Sequence, residues 1–318
     1  MIDFRYHLVS IIAVFLALAV GIVVGTTALN GPVLDGLKTS VSSLTGDKRS
    51  LEGDVLDLRR QTATRDDFTR IVAPAVVRGA LDGRRVLVVS APDAPNAVRD
   101  ALLVALKTAG ATVTGDVRMR PALVEPSGTA TVQDVVTAVA PTSLQLPRGS
   151  AADQAAAELA AALATASGGL STTAIRTVIG GFTGADLLDV AGRSVEGNAT
   201  LVLMVTGSPK VDADTAARNA AVLSFVKAFE AHSGMVVAGP SDSAADGAVL
   251  NALRSSALDG RVSSVDDADG PQGVVAAVLA LAEQSHGGAG SYGTGRGASA
   301  TAPQLAPPRS PAPRPTSS

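Results

Sequence analysis

From Leu8 to Leu29 the chain runs for 22 residues without a charged side chain, and "IIAVFLALAVGIVVG" (Ile11 to Gly25) is the heart of that run. At about 1.5 Å per helical residue it reaches about 33 Å, enough to cross a hydrocarbon core about 30 Å thick. A secretory h-region is usually only about 7–15 residues long. Asp3 beside Arg5 makes a poor signal-peptide n-region, and "TTALNG" offers only a poor small-residue cleavage site at Thr27 and Leu29. Residues 1–30 are therefore expected to stay as a single transmembrane anchor. Arg5 and the terminal amine precede the run, whereas Lys38 beyond it is balanced by Asp35. The positive-inside rule then places the N-terminus in the cytoplasm and the rest outside it. Ala13, Ala17, Gly21 and Gly25 recur every fourth residue. On a helix they form a ridge of small side chains that a second helix can approach closely, although Gly and Ala are common in membrane helices in any case.

The pattern then changes to a heptad. Leu34, Val41, Lys48, Val55 and Thr62 share one position; Leu37, Leu44, Leu51, Leu58 and Arg65 share the other. Val at a with Leu at d favours a parallel two-stranded coil, and Lys48 at an a position weakens such a coil while fixing register and copy number. Gly36, Gly46 and Gly53 each cost the helix about 1 kcal/mol. Residues 31–73 read as a coiled-coil stalk joining a homodimer. The competing reading is a single amphipathic helix lying on the domain that follows.

After Pro74 strands alternate with helices. "RRVLVVSA", "ATVTGDVRM", "TLVLMVTG", "GMVVAG" and "RVSSV" read as strands, the first as a continuous Val-rich apolar run typical of a buried strand. "NAVRDALLVALKTAG", "AADQAAAELAAALATA", "DADTAARNAAVLSFVKAFEAH", "GAVLNALRSS" and "PQGVVAAVLALAEQ" read as helices. Residues 75–286 are thus expected to be an α/β domain with a mainly parallel sheet flanked by helices. The stretches 121–150 and 171–198 carry no clear pattern and leave room for insertions or an edge hairpin. From Gly287 the composition turns to Gly, Ser, Pro and Ala, which predicts a disordered tail over 287–318.

Composition narrows the chemistry. The net charge is −3 and no basic stripe occurs, so nucleic acid is not an expected partner. The chain has no cysteine, which removes disulfides, thiolate metal sites and a Cys nucleophile. Ligands of doubly wound sheets bind beyond the carboxyl ends of the strands. Here those loops are 90–96, 206–214, 239–247 and 266–273. None carries a GxGxxG or GxxxxGK[ST] fingerprint, and no GxSxG elbow exists, Ser208 lying in "GSP" instead. His7, His232 and His286 do not sit as triad members, so no enzyme and no cofactor is expected. "DDADG" fails calcium-loop spacing at Val265 and reads as a helix start, with Asp269 in the cap region and Pro271 in the first turn. Asp212 or Asp214 reads as the cap of the next helix. Met204 reads as core, and "HSGM" pairs His232 with Met235 as a weak soft-metal hint.

The opening "MIDFRYHLVSIIAVFLALAVGIVVG", the spacing "LxxxVxxLxxxxxxL", the motif "SSVDDADGPQGVVAAVLALAEQ" and the ending "GAGSYGTGRGA" resemble the actinobacterial MctB family from Met1 to about Gly297. The resemblance implies a membrane-associated envelope protein linked to copper transport, described in that family as pore-forming. SteB-type relatives are described as partners that regulate cell separation through their coiled coil. It supplies no metal ligands to carry over. The chain itself fits a pore poorly, since its strands are short and separated by helices. An assembly role, or a non-enzymatic partnership in cell-wall remodelling, fits it better.

Overall fold

The computed structural model describes residues 4–164, 169–192 and 195–304; side chains of residues 27–35, Leu34 among them, lie outside that description. Two units are distinguished, residues up to Arg65 and residues from Asp66 onward. Helix α1, Phe4–Val77, supplies all described residues of the first and the opening turns of the second.

In the first unit one stretch, Phe4–Thr26, is long and apolar enough to cross a membrane, with a mean hydropathy of 2.9. The heptad leucines follow on the same helix. The expected boundary at Pro74 is not a helix end. Proline removes one backbone donor, but α1 continues to Val77, which is buried with Leu81 in the second unit's core. The chain leaves the helix at Gly79, whose φ of +75° suits a residue without a Cβ.

The second unit then follows in order. It contains β1 (Arg85–Ser90), α2 (Asn96–Thr108), β2 (Thr112–Met119), α3 (Pro121–Val124), a 3-10 turn, α4 (Thr129–Val139), α5 (Ala151–Leu163) and α6 (Thr172–Gly184). After these come β3 (Leu188–Val190), β4 (Leu201–Val205), α7 (Thr215–Glu230), β5 (Gly234–Ala238), α8 (Val249–Arg254), β6 (Ser263–Val265), α9 (Pro271–Gln284) and β7 (Ser291–Tyr292). The sheet order is β3-β2-β1-β4-β5-β6-β7. Every neighbouring pair is parallel except β2 with β3.

Alternate residues of each strand feed opposite cores. Leu87, Val89, Val202, Met204, Met235 and Val237 join the face that holds α5 and α7 side chains such as Leu159, Phe225 and Phe229. Val86, Val88, Leu203, Val205 and Val236 join the face that holds Leu102, Leu106, Ala277 and Leu281. Burial on both faces is what lets these strands be uniformly apolar.

The two patternless stretches hold α3, α4 and α6 and the antiparallel edge strand β3. A correction concerns the C-terminal segment. Residues from Gly287 to Gln304 do not form a structureless tail: β7 extends the sheet beside β6, with Ser264 N–H bonded to the Gly290 carbonyl at 3.0 Å and Asp266 N–H to the Tyr292 carbonyl at 3.1 Å. The physical reason is a buried ion pair, described below, that fastens this segment, together with Tyr292, which is buried in the core that holds Leu281. Residues 305–318 lie outside the described part.

Candidate functional site

The first candidate is the surface of α1. Leu37, Val41, Leu44, Leu51, Val55 and Leu58 are all exposed, Leu44 by 68% and Leu51 by 63%. They lie three and four residues apart, so the helix itself aligns them along one stripe. Lys48 interrupts that stripe, with its Nζ 3.5 Å from Glu52 Oε1. In the apolar stretch Ala13, Ala17, Gly21 and Gly25 follow one another at four-residue intervals. A Cβ added at Gly21 or Gly25 would meet nothing within 4 Å.

The second candidate is the carboxyl edge of the sheet, where the loops after β1 and β4 part because their crossovers run in opposite directions. A cleft of about 260 Å³ opens there, lined by Asp93, Glu125, Ser208, Lys210, Arg218 and Asn219 among others. Its polar groups are already engaged. Ser208 Oγ donates to Asp242 Oδ1 at 2.8 Å, Lys210 Nζ lies 3.4 Å from Glu125 Oε1, and Asn219 Nδ2 donates to the Gly247 carbonyl at 2.9 Å. Arg218 Nη2 pairs with Asp212 Oδ1 at 2.9 Å and donates to the Lys210 carbonyl at 2.8 Å. Desolvation in the cleft wall pushes the Asp93 carboxyl above the usual range, against the pull of the Asp93 and Gly207 N–H groups. Gly207 is required by this approach, since a Cβ there would lie 2.1 Å from the Asp93 carbonyl oxygen. The described polar side chains of the cleft are thus engaged with one another across loops, Ser208 with the Asp242 carboxylate and Lys210 with Glu125.

The expected caps are placed as follows. Asp214 occupies the N-cap of α7 without a side-chain cap bond, while Asp212 Oδ1 accepts the Asp214 N–H at 3.0 Å. The Arg218 hydrogen bond holds the Asp212 carboxyl below the usual range. Pro271 opens α9 as read from the sequence, but Gly270 is its N-cap. Asp269 instead accepts Ser241 N–H and Oγ–H, both at 3.0 Å, tying the loops after β5 and β6 together.

Sequence reasoning missed the most connected group, built on Arg254 and Asp266. Both are sealed from solvent and pair at 2.8 Å. Asp266 Oδ1 accepts the N–H groups of Thr294 and Gly295 at 2.7 and 2.8 Å. Arg254 also donates to Ser264 Oγ and to the carbonyls of Tyr292 and Arg296. Gly293 has a φ of +120°, and a Cβ there would sit 2.2 Å from Asp266 Oδ1. The "VDDAD" and "YGTG" motifs are thus two halves of one fastening. Asp267 beside it adopts φ +66°, and burial together with Asp266 and Asp269 pushes its carboxyl up to about 6.

The soft donors singled out in the sequence are placed as follows. Met119, Met204 and Met235 are all buried in the same aliphatic core, which suits the thioether as a gap-filling apolar group. His232 is exposed at the end of α7, so the "HSGM" pair is split between surface and core. His286 Nδ1 lies 2.7 Å from the Ala282 carbonyl. Among the described residues no group of three His, Cys, Asp or Glu side chains is placed to hold a metal ion.

Together these features define a membrane-associated α/β protein carried on a long N-terminal helix with an apolar start. A family model described as "Copper transport outer membrane protein, MctB" matches residues 1–303. The proteins named copper transporter MctB from Mycobacterium tuberculosis (strain CDC 1551 / Oshkosh) and Mycobacterium bovis are each 30% identical to this chain over 311 residues, covering 94% of it and 98% of their own length. The one from Mycobacterium leprae is 30% identical over 318 residues, covering 96% of this chain and 100% of itself. The chain belongs to the MctB family of copper transport proteins.

Proposed function

We propose that this protein serves copper transport at the cell envelope as a membrane-anchored assembly and interaction protein, and that one chain alone does not form the pore. The observation that carries this reading is the exposed apolar stripe on α1, from Leu37 to Leu58. Burying each Leu is worth roughly 1.5–3 kcal/mol, so a row of them left in water calls for a partner. The partner is a second copy, giving a homodimer joined through stalk and anchor. The N-terminus lies in the cytoplasm and the α/β domain outside it. Copper is the cargo of the assembled system. A transmembrane barrel uses strands of about 9–11 residues, whereas the strands of this sheet have two to eight residues and helical side chains cover both faces. No enzymatic step, bound cofactor or nucleic-acid contact is part of this role.

Single cysteines at Leu44 or Leu51 in the full-length, cysteine-free chain should give a disulfide-linked dimer in membranes; absence of any such dimer overturns the paired stalk. Cells lacking the protein should become copper-sensitive and retain copper, and unchanged tolerance and content would remove the copper role. The same stripe supports a second reading, a coiled-coil partner in cell-wall remodelling or cell separation. In that case replacing both Leu44 and Leu51 by Asp abolishes capture of an envelope partner while far-UV circular dichroism of the domain is unchanged.

A further inference from the structure

We infer that two copies of this chain pair along α1 in parallel and in strict register, with Lys48 of each helix seated against Asp47 of the other. This deepens the paired-stalk reading and rests on it. The argument is the charge pattern flanking the exposed stripe. With Leu44 and Leu51 at d, Asp47 and Asp54 fall at g, and Lys38, Glu52 and Arg59 fall at e. The g edge thus carries acids and no base between Ser40 and Gln61. An antiparallel pair sets g against g and brings Asp47 and Asp54 of one copy against the same residues of the other. A parallel pair sets g against the e position five residues on. Asp54 then meets Arg59 of the other copy on both flanks.

The remaining flanks of a parallel pair bring Asp47 to Glu52, two like charges. Lys48 resolves this. An a-position side chain enters a hole bordered by the preceding g residue of its partner, which for Lys48 is Asp47. Its own Glu52 is already 3.5 Å away on the same helix. Each ammonium therefore lies between the two acids that would otherwise repel. A slip of one heptad loses this arrangement. It replaces one polar layer, Lys48 with Lys48, by two layers in which Lys48 faces Val41 or Val55. In one of these layers the neighbouring g residue is Ser40 instead of an acid. Gly46 and Gly53 fall at f, the position farthest from the seam, so their missing side chains leave no gap in it.

The test uses the full-length chain in membranes, with Leu44→Cys, Leu51→Cys and Val55→Cys co-expressed in pairs as differently tagged copies. Homotypic 44–44 and 51–51 disulfides are expected, with the mixed 44–51 and 44–55 products lost. A dominant 44–51 product reports a heptad slip, and a dominant 44–55 product an antiparallel pair; either overturns the inference while leaving the dimer intact. Failure of every combination overturns the paired stalk itself. In a Lys48→Leu background the 44–51 product should appear. Its continued absence would overturn the role given to Lys48.

Discussion

Replacing Arg254 by Ala should destabilise the α/β domain by about 3–5 kcal/mol, the usual cost of breaking a buried ion pair by removing one partner. The loss is large because of what remains. Asp266 has no exposed surface and, among the described residues, would be left with the backbone N–H donors of Thr294 and Gly295 and no counter-charge. The Arg296 carbonyl and the Ser264 hydroxyl would lose the guanidinium donor at the same time, and the Tyr292 carbonyl would lose one of its two donors, keeping the Asp266 N–H. These groups bridge β6, β7 and the 293–297 loop, so the last strand should detach first. Urea unfolding followed by far-UV circular dichroism measures the loss, and tyrosine fluorescence isolates the C-terminal strand because Tyr292 is the only tyrosine beyond Tyr6. Asp266→Leu combined with Arg254→Met should cost less than the sum of the two single changes, since neither charge is then left unpaired. A single Arg254→Ala variant within about 1 kcal/mol of the wild type would contradict the role assigned to this pair.

The same pair explains why the C-terminal strand was illegible in the sequence. Ser291 and Tyr292 sit among glycines and serines, and nothing nearby has strand periodicity. They are held by partners that lie far back in the chain, Asp259, Ser264 and Glu283 on their side chains and Arg254 on the backbone. Composition alone therefore reads disorder where a long-range contact imposes order. The central strands were legible for the opposite reason. β1, β4 and β5 are runs such as "LVLMV" whose two faces are both buried, so no other reading of them is cheaper. Helix α4 was not, because "TATVQDVVTAV" buries only Val132 and Val136 and is rich in residues with weak helix propensity. The helical spacing of the exposed residues from Leu37 to Leu58 on α1 was legible, since it depends only on the helix that carries them. The cleft beside β1 and β4 was located by topology, but its engaged groups come from tertiary pairs, Lys210 with Glu125 and Ser208 with Asp242, which sequence spacing does not encode.

The second large effect concerns Glu158 on α5. The side chain has no exposed surface, and neither carboxylate oxygen has a hydrogen-bond partner among the described residues. Desolvation alone pushes its carboxyl from 4.5 up to about 7. The folded protein therefore holds a proton that the unfolded chain releases. Between about pH 4.5 and 7 the folded state binds more protons than the unfolded one, so stability falls as pH rises through this window. Below it the contribution is fully present, and above it the loss is complete. A shift from 4.5 to about 7 corresponds to about 3 kcal/mol across the window at 1.36 kcal/mol per unit. Asp267 is also raised, to about 6, whereas the Ser224 and Ser150 hydrogen bonds hold the Asp153 carboxyl below the usual range, so the pH dependence of the whole protein is a sum of contributions of either sign. The measurement is therefore a difference: urea unfolding of the wild type and of Glu158→Gln at pH 4.5, 6 and 8. The amide keeps the shape and cannot ionise, so the variant should gain on the wild type steadily as pH rises, by about 3 kcal/mol overall. Parallel stability curves for the two proteins would mean that Glu158 reaches water or a counter-charge when ionised. The alanines around it, Ala155, Ala161 and Ala162, are themselves buried and can offer neither.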